Sequence, residues 1–406
     1  MVELVSMICH WRMAMNRKDS DLLRLKWFYL LTFFGTGSIS PLLSVYFSEV
    51  QQLNGYQVGT LLSIGPIMMI FFQPLWGLLA DAKSAHNKLL VVATFIAGVM
   101  GLGYAVIGSY YWYLLIAIIL GIFQSAIIPL SDSISVQYAN KKKVAYGNIR
   151  LYGSLGFGLA VFVMGSLSEW KPEVIFYAFF LTLTLAAILA VQLPKEKTRS
   201  SNLNLFSGVR NLLSIRKFLV FLLITFLIFG PNLANNFYFS LFIEHSGGTY
   251  TGIGIAFLIA VLSEIPFMRL AGIWSSKVGL LQVAFIAAIA SMLRWIIYFI
   301  EPGLPIIYAT TVIQGFSLGL FIPVGIQYVR EISPLTLTAT AVTLYSAVGN
   351  GIGNWFCTFI GGIIFEVYSI YAVYLFFGLL SLFGAILTTY LIKQDKQQPQ
   401  YKTKFS

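Results

Sequence analysis

The chain has 406 residues, of which 58% are hydrophobic and only 10% are charged. Soluble domains carry about 25% charged residues, so this composition excludes a soluble enzyme, a secreted disulfide scaffold and a disordered protein. The formal net charge of +11 would favour nucleic acid as the partner of a soluble protein. Here the basic residues lie in loops between apolar segments, which argues against nucleic-acid binding.

Twelve apolar segments follow one another along the chain. Each is long enough to cross a lipid bilayer as a helix of about 20 residues, so the sequence predicts an all-α membrane protein embedded in the bilayer. A polar connector over residues 194–217 separates the first six segments from the last six. The predicted spans are 25–47, 57–80, 89–108, 112–138, 146–166, 174–192, 218–242, 252–273, 280–299, 304–328, 336–364 and 368–391.

The loops between these spans differ in charge from one side of the membrane to the other. Lysines and arginines collect in alternate loops and in both tails, whereas Lys171 is the only clear basic residue in the remaining loops. Basic loops stay in the cytoplasm, so both termini are predicted to be cytoplasmic, and the loop with Lys171 marks the predicted outer side. Residues 1–20 have no long apolar core and no small-residue cleavage site, so no cleavable signal peptide is predicted.

The two sets of six spans have similar sequences at the ends of their second helices. The second span ends in GLLAD at residues 77–81, and the eighth ends in GIWSSK at residues 272–277. This similarity predicts an internal duplication into two pseudo-symmetric six-helix halves, over residues 1–193 and 218–406. Transporters are built in this way, with the solute site between the halves.

The same two segments predict a conformational latch. Gly77 would let two helix backbones approach each other, and Asp81 would cap a neighbouring helix N-terminus, where a carboxylate is favoured. Gly272 and Lys277 occupy the corresponding place in the second half. The alternative for Asp81 is an ordinary solvated residue at a helix end.

Two sequence segments resemble those of a known family. QPLWGLLAD at residues 73–81 resembles the loop motif of the major facilitator superfamily. YGNIRLYGSLGF at residues 146–157 is similar to the fifth helix of lactose permease, nucleoside–proton symporters and phenylpropionate permeases. The resemblance extends over nearly the whole chain. It implies a secondary active transporter in the plasma (inner) membrane, and it does not choose among these branches.

Four ionisable residues lie inside the predicted spans: Asp132, Arg150, Glu264 and Arg294. Placing such a residue near the middle of a bilayer costs about 2.5–3.5 kcal/mol, so each is a candidate functional residue. Their formal charges sum to zero, as mutual pairing would give. The expected pairs are Asp132 with Arg150 and, less securely, Glu264 with Arg294.

Asp132 and Arg150 form the main predicted binding site. Both lie about 10–14 Å from the cytoplasmic side on adjoining spans, and a guanidinium beside a carboxylate can bind the hydroxyls of a solute. The resemblance to lactose permease implies that these two residues hold a sugar and that Phe157 stacks against it. The alternatives are a structural ion pair and, for Phe157, ordinary core packing.

The second half supplies further candidates. Glu264 is the predicted proton carrier, with Asp132 as the second candidate, because intramembrane carboxyl groups serve as proton relays in transporters. Arg294 would bind solute, as would the polar side chains of Asn236 and Gln314. The alternatives are a neutral Glu264 bonded to a helix carbonyl and, for an isolated Asn, a contact between helices.

The second half also departs from lactose permease. Thr311, Gln314 and Ser317 stand where that permease has a lysine, a histidine and a glutamate on its tenth helix, as the resemblance aligns them. His10, His86 and His245 lie outside the predicted spans. A proton relay through histidine is therefore excluded, and coupling would depend on Glu264 or Asp132.

Together these features predict proton-coupled symport of a small organic solute, such as a sugar, a nucleoside or an aromatic acid, by alternating access. The alternatives are an uncoupled facilitator, an exchanger or efflux carrier, and a non-transporting sensor, for which the tails are too short. No metal motif, nucleophile elbow or intramembrane His or Cys cluster is present in the sequence, which excludes a membrane enzyme. We expect no cofactor and no metal, and a monomer.

Overall fold

The computed structural model describes the backbone of residues 2–83, 85–106, 108–144, 146–194, 205–334 and 337–397. Within these ranges it describes the side chains of all residues except 2–19, 81–83, 205–208, 339, 396 and 397. The described chain is helical and contains no strand. Twelve of its helical segments are long and apolar enough to cross a membrane. The predicted all-α membrane fold with twelve spans is therefore confirmed.

The first six spans overlap the six predicted ones, although the helix that contains the first span begins at Val2. They comprise α1 (Val2–Ile39), its continuation through α2 (Leu43–Val45) and a π-helical stretch (Tyr46–Val50), α3 (Gly55–Lys83), α4 (His86–Val106), α5 (Tyr110–Lys142), α6 (Gly147–Ser168) and α7 (Val174–Val191).

A short amphipathic helix, α8 (Leu205–Leu213), lies in the predicted connector. The last six spans comprise α9 (Arg216–His245), α10 (Tyr250–Val278), α11 (Leu280–Phe299), α12 (Leu304–Ile332), α13 (Thr338–Ser346) with a π-helical stretch (Ala347–Gly353) and α14 (Asn354–Val367), and α15 (Ile370–Gln397).

Two prolines lie at matching positions of two spans. Pro129 lies inside α5 and Pro323 inside α12, which are the fourth and the tenth spans. Each proline is 19 residues after the first residue of its helix. A proline removes one helical hydrogen bond, which membrane helices tolerate because neighbouring groups satisfy the freed carbonyl. The fourth and the tenth spans thus share one irregularity, as the predicted duplication would require.

The chain packs into two compact units. Unit 1 consists of Met1–Ile39, Phe71–Met164 and Glu173–Ser200, and unit 2 of Ser40–Ile70, Gly165–Pro172 and Ser201–Ser406. Residues 40–70 and 165–172, at the predicted outer side, thus group with the later helices. The compact units differ in this respect from the predicted halves 1–193 and 218–406, and that division stays a prediction.

Aromatic side chains fill the interior of each unit. In unit 1, Tyr104 of α4 packs against Phe176 of α7 with ring centroids 5.8 Å apart. In unit 2, Phe221 of α9 packs against Tyr328 of α12 at 4.7 Å. These rings are almost fully buried. Such large rigid side chains stabilise close helix packing.

Candidate functional site

The carboxylate of Asp132 is held by two tyrosines in unit 1. Asp132 lies on α5, three residues after Pro129, and is half-buried. Its Oδ1 atom accepts a hydrogen bond from the hydroxyl of Tyr29 on α1. The same atom accepts a second bond, of 2.8 Å, from the hydroxyl of Tyr146, which immediately precedes α6. No described residue donates to the other oxygen, Oδ2, which leaves it available to a solute.

Tyr146 remains a donor at physiological pH. Burial, together with the charge of the Asp132 carboxylate, raises the pKa of Tyr146, because both disfavour a second negative charge at this point. The phenol therefore keeps its proton and directs it at Asp132.

Arg150 lies beside the same group of residues. Its guanidinium carbon is 4.2 Å from the ring centroid of Phe33 on α1. The Phe33 ring is parallel to that of Tyr29, with centroids 6.1 Å apart. A Cβ atom at Gly153 would lie 2.6 Å from Nη1 of Arg150, so glycine at this position leaves the room that the guanidinium occupies. Asp132 and Arg150 are thus connected through two stacked rings.

The predicted direct ion pair between Asp132 and Arg150 is not formed. No nitrogen of Arg150 lies within 4.0 Å of a carboxylate oxygen in the described part of the chain. Two phenol donors already satisfy Oδ1 of Asp132, and the face of Phe33 provides a favourable position for the cation. Both charges therefore remain available for contacts with a solute.

Phe157 lies seven residues after Arg150, two turns along the same helix face. Its backbone approaches α1 closely, since a Cβ atom at Gly37 would lie 2.7 Å from the Phe157 carbonyl oxygen. The side chain is half-buried and stacks on no described aromatic ring. Its predicted stacking against a solute stays a prediction.

Unit 2 contains a second polar group around Arg294 of α11. This residue is 1% exposed, and its Nε atom donates to the Tyr298 hydroxyl at 3.0 Å. The guanidinium carbon lies 4.8–5.1 Å from the ring centroids of Phe239, Trp295 and Tyr298. The Nη1 and Nη2 atoms have no hydrogen-bond partner among the described residues.

The expected pairing of Arg294 with Glu264 is therefore not observed, because aromatic rings surround the guanidinium instead. Glu264 is half-buried on α10, and its backbone packs closely against α12. A Cβ atom at Gly315 would lie 2.7 Å from the Glu264 nitrogen, and one at Gly319 would lie 2.8 Å from its carbonyl oxygen. The role of Glu264 as a proton carrier stays a prediction.

Gln314 belongs to a hydrogen-bonded chain between α9, α12 and α15. Asn235 donates from Nδ2 to Oε1 of Gln314 at 3.3 Å, and the Tyr374 hydroxyl donates to Oδ1 of Asn235 at 3.2 Å. Asn236, the next residue, is half-buried and makes no side-chain hydrogen bond to a described residue. Of the two predicted polar ligands, Gln314 is thus engaged within the protein and Asn236 is free to bind.

Comparisons with known proteins agree with this architecture. The family model described as "MFS_1 like family" matches residues 22–376. The chain belongs to the major facilitator superfamily. It is 52% identical over 376 residues to the "Uncharacterized transporter YwbF" of Bacillus subtilis, covering 92% of this chain and 94% of that protein. It is also 44% identical over 376 residues to the maltose permease of Geobacillus stearothermophilus, covering 92% and 95%.

A solved structure agrees as well. The nucleoside transporter NupG superposes with a TM-score of 0.79 at 20% identity, covering 92% of this chain and 99% of that one, which shows a shared fold. The resemblance to this superfamily is therefore confirmed. The protein is a multi-pass membrane transporter of the major facilitator type and not an enzyme.

The predicted latch centres on Gly77 and Gly272. Among described residues, no atom lies within 4 Å of a Cβ atom built on Gly77 or on Gly272, so the expected close approach of two backbones is not made at either glycine. Lys277 is exposed. The side chain of Asp81 lies outside those that the structure describes. The latch role of these four residues stays a prediction.

The sequence analysis missed the residues that surround the two charged groups. Tyr29 and Phe33 of α1 are four residues apart and therefore share a helix face. Tyr146 precedes Arg150 by four residues, a spacing that predicts neighbouring side chains in a helix. The aromatic residues Phe239 and Tyr298 around Arg294 gave no such signal, because aromatic residues are frequent in every span of this chain.

Proposed function

We propose that the protein imports a small neutral sugar, of the glucosyl disaccharide class, together with a proton. The observation that carries this proposal is the group formed by Asp132, Arg150 and the two tyrosines. It offers a carboxylate oxygen, Oδ2, that no described residue occupies, a guanidinium that forms no ion pair there, and the ring faces of Phe33 and Tyr29. Charged donors and acceptors bind sugar hydroxyls strongly, and flat rings suit the apolar faces of a pyranose.

The similarity to a protein named maltose permease supports the choice of a sugar over a nucleoside or an aromatic acid, since it extends over 92% of this chain. In the proposed mechanism, Asp132 and Arg150 bind sugar hydroxyls, Phe157 packs against the ring, and Arg294 and Asn236 add contacts from the second half. Glu264 carries the proton. We further propose a monomer in the plasma membrane with both termini cytoplasmic.

Uptake into proteoliposomes tests this function. Radiolabelled maltose should accumulate when an inward proton gradient is imposed, and an ionophore that collapses the gradient should abolish accumulation. Uridine and phenylpropionate, offered at the same concentration, test the other two solute classes. Equilibration without accumulation would identify a facilitator, and uptake that requires internal sugar would identify an exchanger.

Two conservative variants test the site. Asp132→Asn and Arg150→Lys should each lower maltose affinity at least tenfold, because the first removes the charge and the second the planar fork. Asp21→Asn is the matched control, since Asp21 forms a 3.1 Å ion pair with Arg24 on α1, far along the chain from these residues. Unchanged affinity in both site variants, with normal folding, would make Asp132 and Arg150 structural residues.

A further inference from the structure

Two glutamates bind the N-termini of neighbouring helices at the predicted outer side of unit 2. Glu366, at the end of α14, accepts a 2.6 Å hydrogen bond at Oε2 from the backbone nitrogen of Gly55, the first residue of α3. Glu169, immediately after α6, accepts a 2.8 Å bond at Oε1 from the backbone nitrogen of Thr251, the second residue of α10. Helix N-termini have free N–H groups and a partial positive charge, so each contact is favourable for a carboxylate.

Each glutamate follows a glycine at a helix crossing by four residues. A Cβ atom at Gly362 would lie 2.6 Å from Cα of Gly59, and one at Gly165 would lie 3.0 Å from Cα of Gly254. Gly59 and Gly254 are each the fifth residue of the capped helix. The backbones therefore approach closely one turn below each cap, and both crossings have the same sequence spacing between glycine and glutamate.

The capped helices also have caps of their own. Asn54 accepts a bond at Oδ1 from the nitrogen of Gln57, the third residue of α3. Thr249 accepts a bond at Oγ1 from the nitrogen of Gly252, the third residue of α10. Each helix thus has a local N-cap, which satisfies one of its free N–H groups. The glutamates bind further N–H groups of the same first turns from a different helix, and so connect the ends of two helices.

We propose that Glu169 and Glu366 are positioning residues of the transport cycle, which hold the outer ends of these helix pairs together in one conformation and release them in the other. This inference rests on alternating access, a part of the proposed function. The spacing GSLSE at residues 165–169 is repeated as GIIFE at residues 362–366. α6 and α14 are the fifth spans of their halves, and α3 and α10 are the second, so one contact occurs twice through the internal duplication.

The energetics suit a reversible contact. A carboxylate at an exposed helix N-terminus changes an equilibrium by about two- to fivefold, which is small enough for solute binding to overcome. Two such contacts acting on the same equilibrium multiply to about four- to twenty-five-fold. Glycine at the crossings allows the backbones to separate without disrupting interlocked side chains.

Labelling of a buried cysteine measures the opening of this region. Val58 of α3 is 1% exposed and lies next to Gly59. A Val58→Cys protein in which Cys9 and Cys357 are replaced by serine should react slowly with a water-soluble maleimide in detergent. Glu366→Ala and Glu169→Ala should each raise the labelling rate two- to fivefold, and the double variant should raise it by the product of the two factors.

Additional variants separate positioning from folding. Glu169→Gln and Glu366→Gln, which keep an acceptor oxygen but lose the charge, should give smaller increases than alanine. Glu301→Gln is the control, because Glu301 is an exposed acidic residue of another loop on the same predicted side, and its side chain makes no hydrogen bond to a described residue. Melting temperatures identify variants that fail to fold.

An unchanged labelling rate in folded alanine variants would overturn the proposal and leave the glutamates as structural caps. An increase that is equal in the Glu301 control would do the same. The assay contains no solute, so a wrong assignment of the sugar does not affect its outcome. Loss of maltose uptake with the expected labelling pattern would contradict the proposed function alone.

Discussion

At the scale of single residues, the two oxygens of the Asp132 carboxylate have different partners in the proposed mechanism. Oδ1 receives both tyrosine hydroxyls, which fixes the rotation of the carboxylate plane. Oδ2 is then presented in one direction only. Hydrogen bonds to a charged acceptor contribute about 1.5–3 kcal/mol each, so the two phenols determine where a solute hydroxyl meets the second oxygen.

Removing one phenol donor is expected to weaken solute binding. Tyr146→Phe should raise the KM for sugar about tenfold, corresponding to about 1.4 kcal/mol, and leave the maximal rate within about twofold, because the carboxylate remains but is less well oriented. Tyr29→Phe should act in the same direction. Uptake kinetics measure both effects, and Tyr111→Phe, at a ring that is 80% exposed, is the control. A KM equal to that of the control would show that the tyrosines do not orient Asp132.

Arg294 is expected to be required for transport and to lower the stability of the folded protein. Its charge is buried and has no acidic partner among the described residues, and replacing a buried charge by an apolar residue of similar size often stabilises a protein by about 1–4 kcal/mol. Part of this gain is offset by lost contacts with the rings, about 0.5–2 kcal/mol. Arg294→Met should therefore raise the melting temperature and abolish proton-driven uptake. Arg269→Met, at an exposed arginine, is the control. A melting temperature of Arg294→Met below that of the wild type would contradict this prediction.

The sequence located the charged residues inside the spans but did not predict their partners. Asp132, Arg150 and Arg294 were found because a charge in an apolar span is costly and therefore conspicuous. The phenol donors Tyr29 and Tyr146 were not, because tyrosine is compatible with almost any position of a membrane helix. Which hydroxyl reaches a carboxylate depends on helix rotation, and the hydrophobic pattern of these nearly all-apolar spans does not specify rotation.

At the scale of helices, the close crossings at the predicted outer side depend on glycine. Gly59 allows α3 to touch α14, and a side chain there would meet backbone atoms that cannot move away independently. The number and order of the spans followed from composition alone. These crossings did not, because small residues are frequent throughout the chain and only the packed structure shows which of them face another helix.

A methyl group at this crossing should therefore favour the open state. Gly59→Ala places a Cβ atom 2.6 Å from Cα of Gly362, closer than real contacts allow, so the labelling rate of Val58→Cys should rise at least fivefold. Gly65→Ala on the same helix is the matched control, since no described atom lies within 4 Å of that position. Equal rates for the two variants would exclude a role for the crossing.

The cap on α10 should depend on pH in a defined direction. Burial would raise the pKa of Glu169, but the hydrogen bonds from the backbone of Thr251 and from the neighbouring threonines outweigh it and lower the pKa. A lowered pKa means that the charged cap stabilises the folded protein above the ordinary glutamate value of about 4.3. This contribution is lost as the pH falls through the lowered pKa.

The melting temperature as a function of pH measures this effect. The difference between the wild type and Glu169→Gln should be constant from pH 8 to about pH 5 and should disappear at lower pH, below the ordinary pKa of a glutamate. A difference that persists after acidification would show that the charge of Glu169 is not responsible for it.

At the scale of the whole molecule, charge and hydropathy specified the number of spans, and the comparison with known transporters established the superfamily. The grouping of residues 40–70 with the later helices was not predictable, because it depends on contacts between segments that are distant in sequence. The distribution of charges among the loops predicts on which side of the membrane a residue lies. It contains no information about which neighbour that residue contacts.

The orientation in the membrane can be tested directly. Lys141→Cys and Trp170→Cys, each in a protein without the native cysteines, place a thiol in an exposed position at opposite ends of the spans. The distribution of basic loops predicts that an impermeant maleimide applied to intact cells labels the cysteine at 170 only. The cysteine at 141 should react only after the membrane is permeabilised, and the reverse pattern would invert the topology.

The two glutamate contacts also bear on the origin of the chain. Glu169 belongs to the first six helices and caps a helix of the last six, whereas Glu366 belongs to the last six and caps a helix of the first. The exchange is reciprocal, as in an interface between two identical subunits. A six-helix ancestor that assembled with its own copy would have made both contacts with a single glutamate in its sequence. Fusion of two such copies would have preserved an interface that had already formed between separate polypeptides.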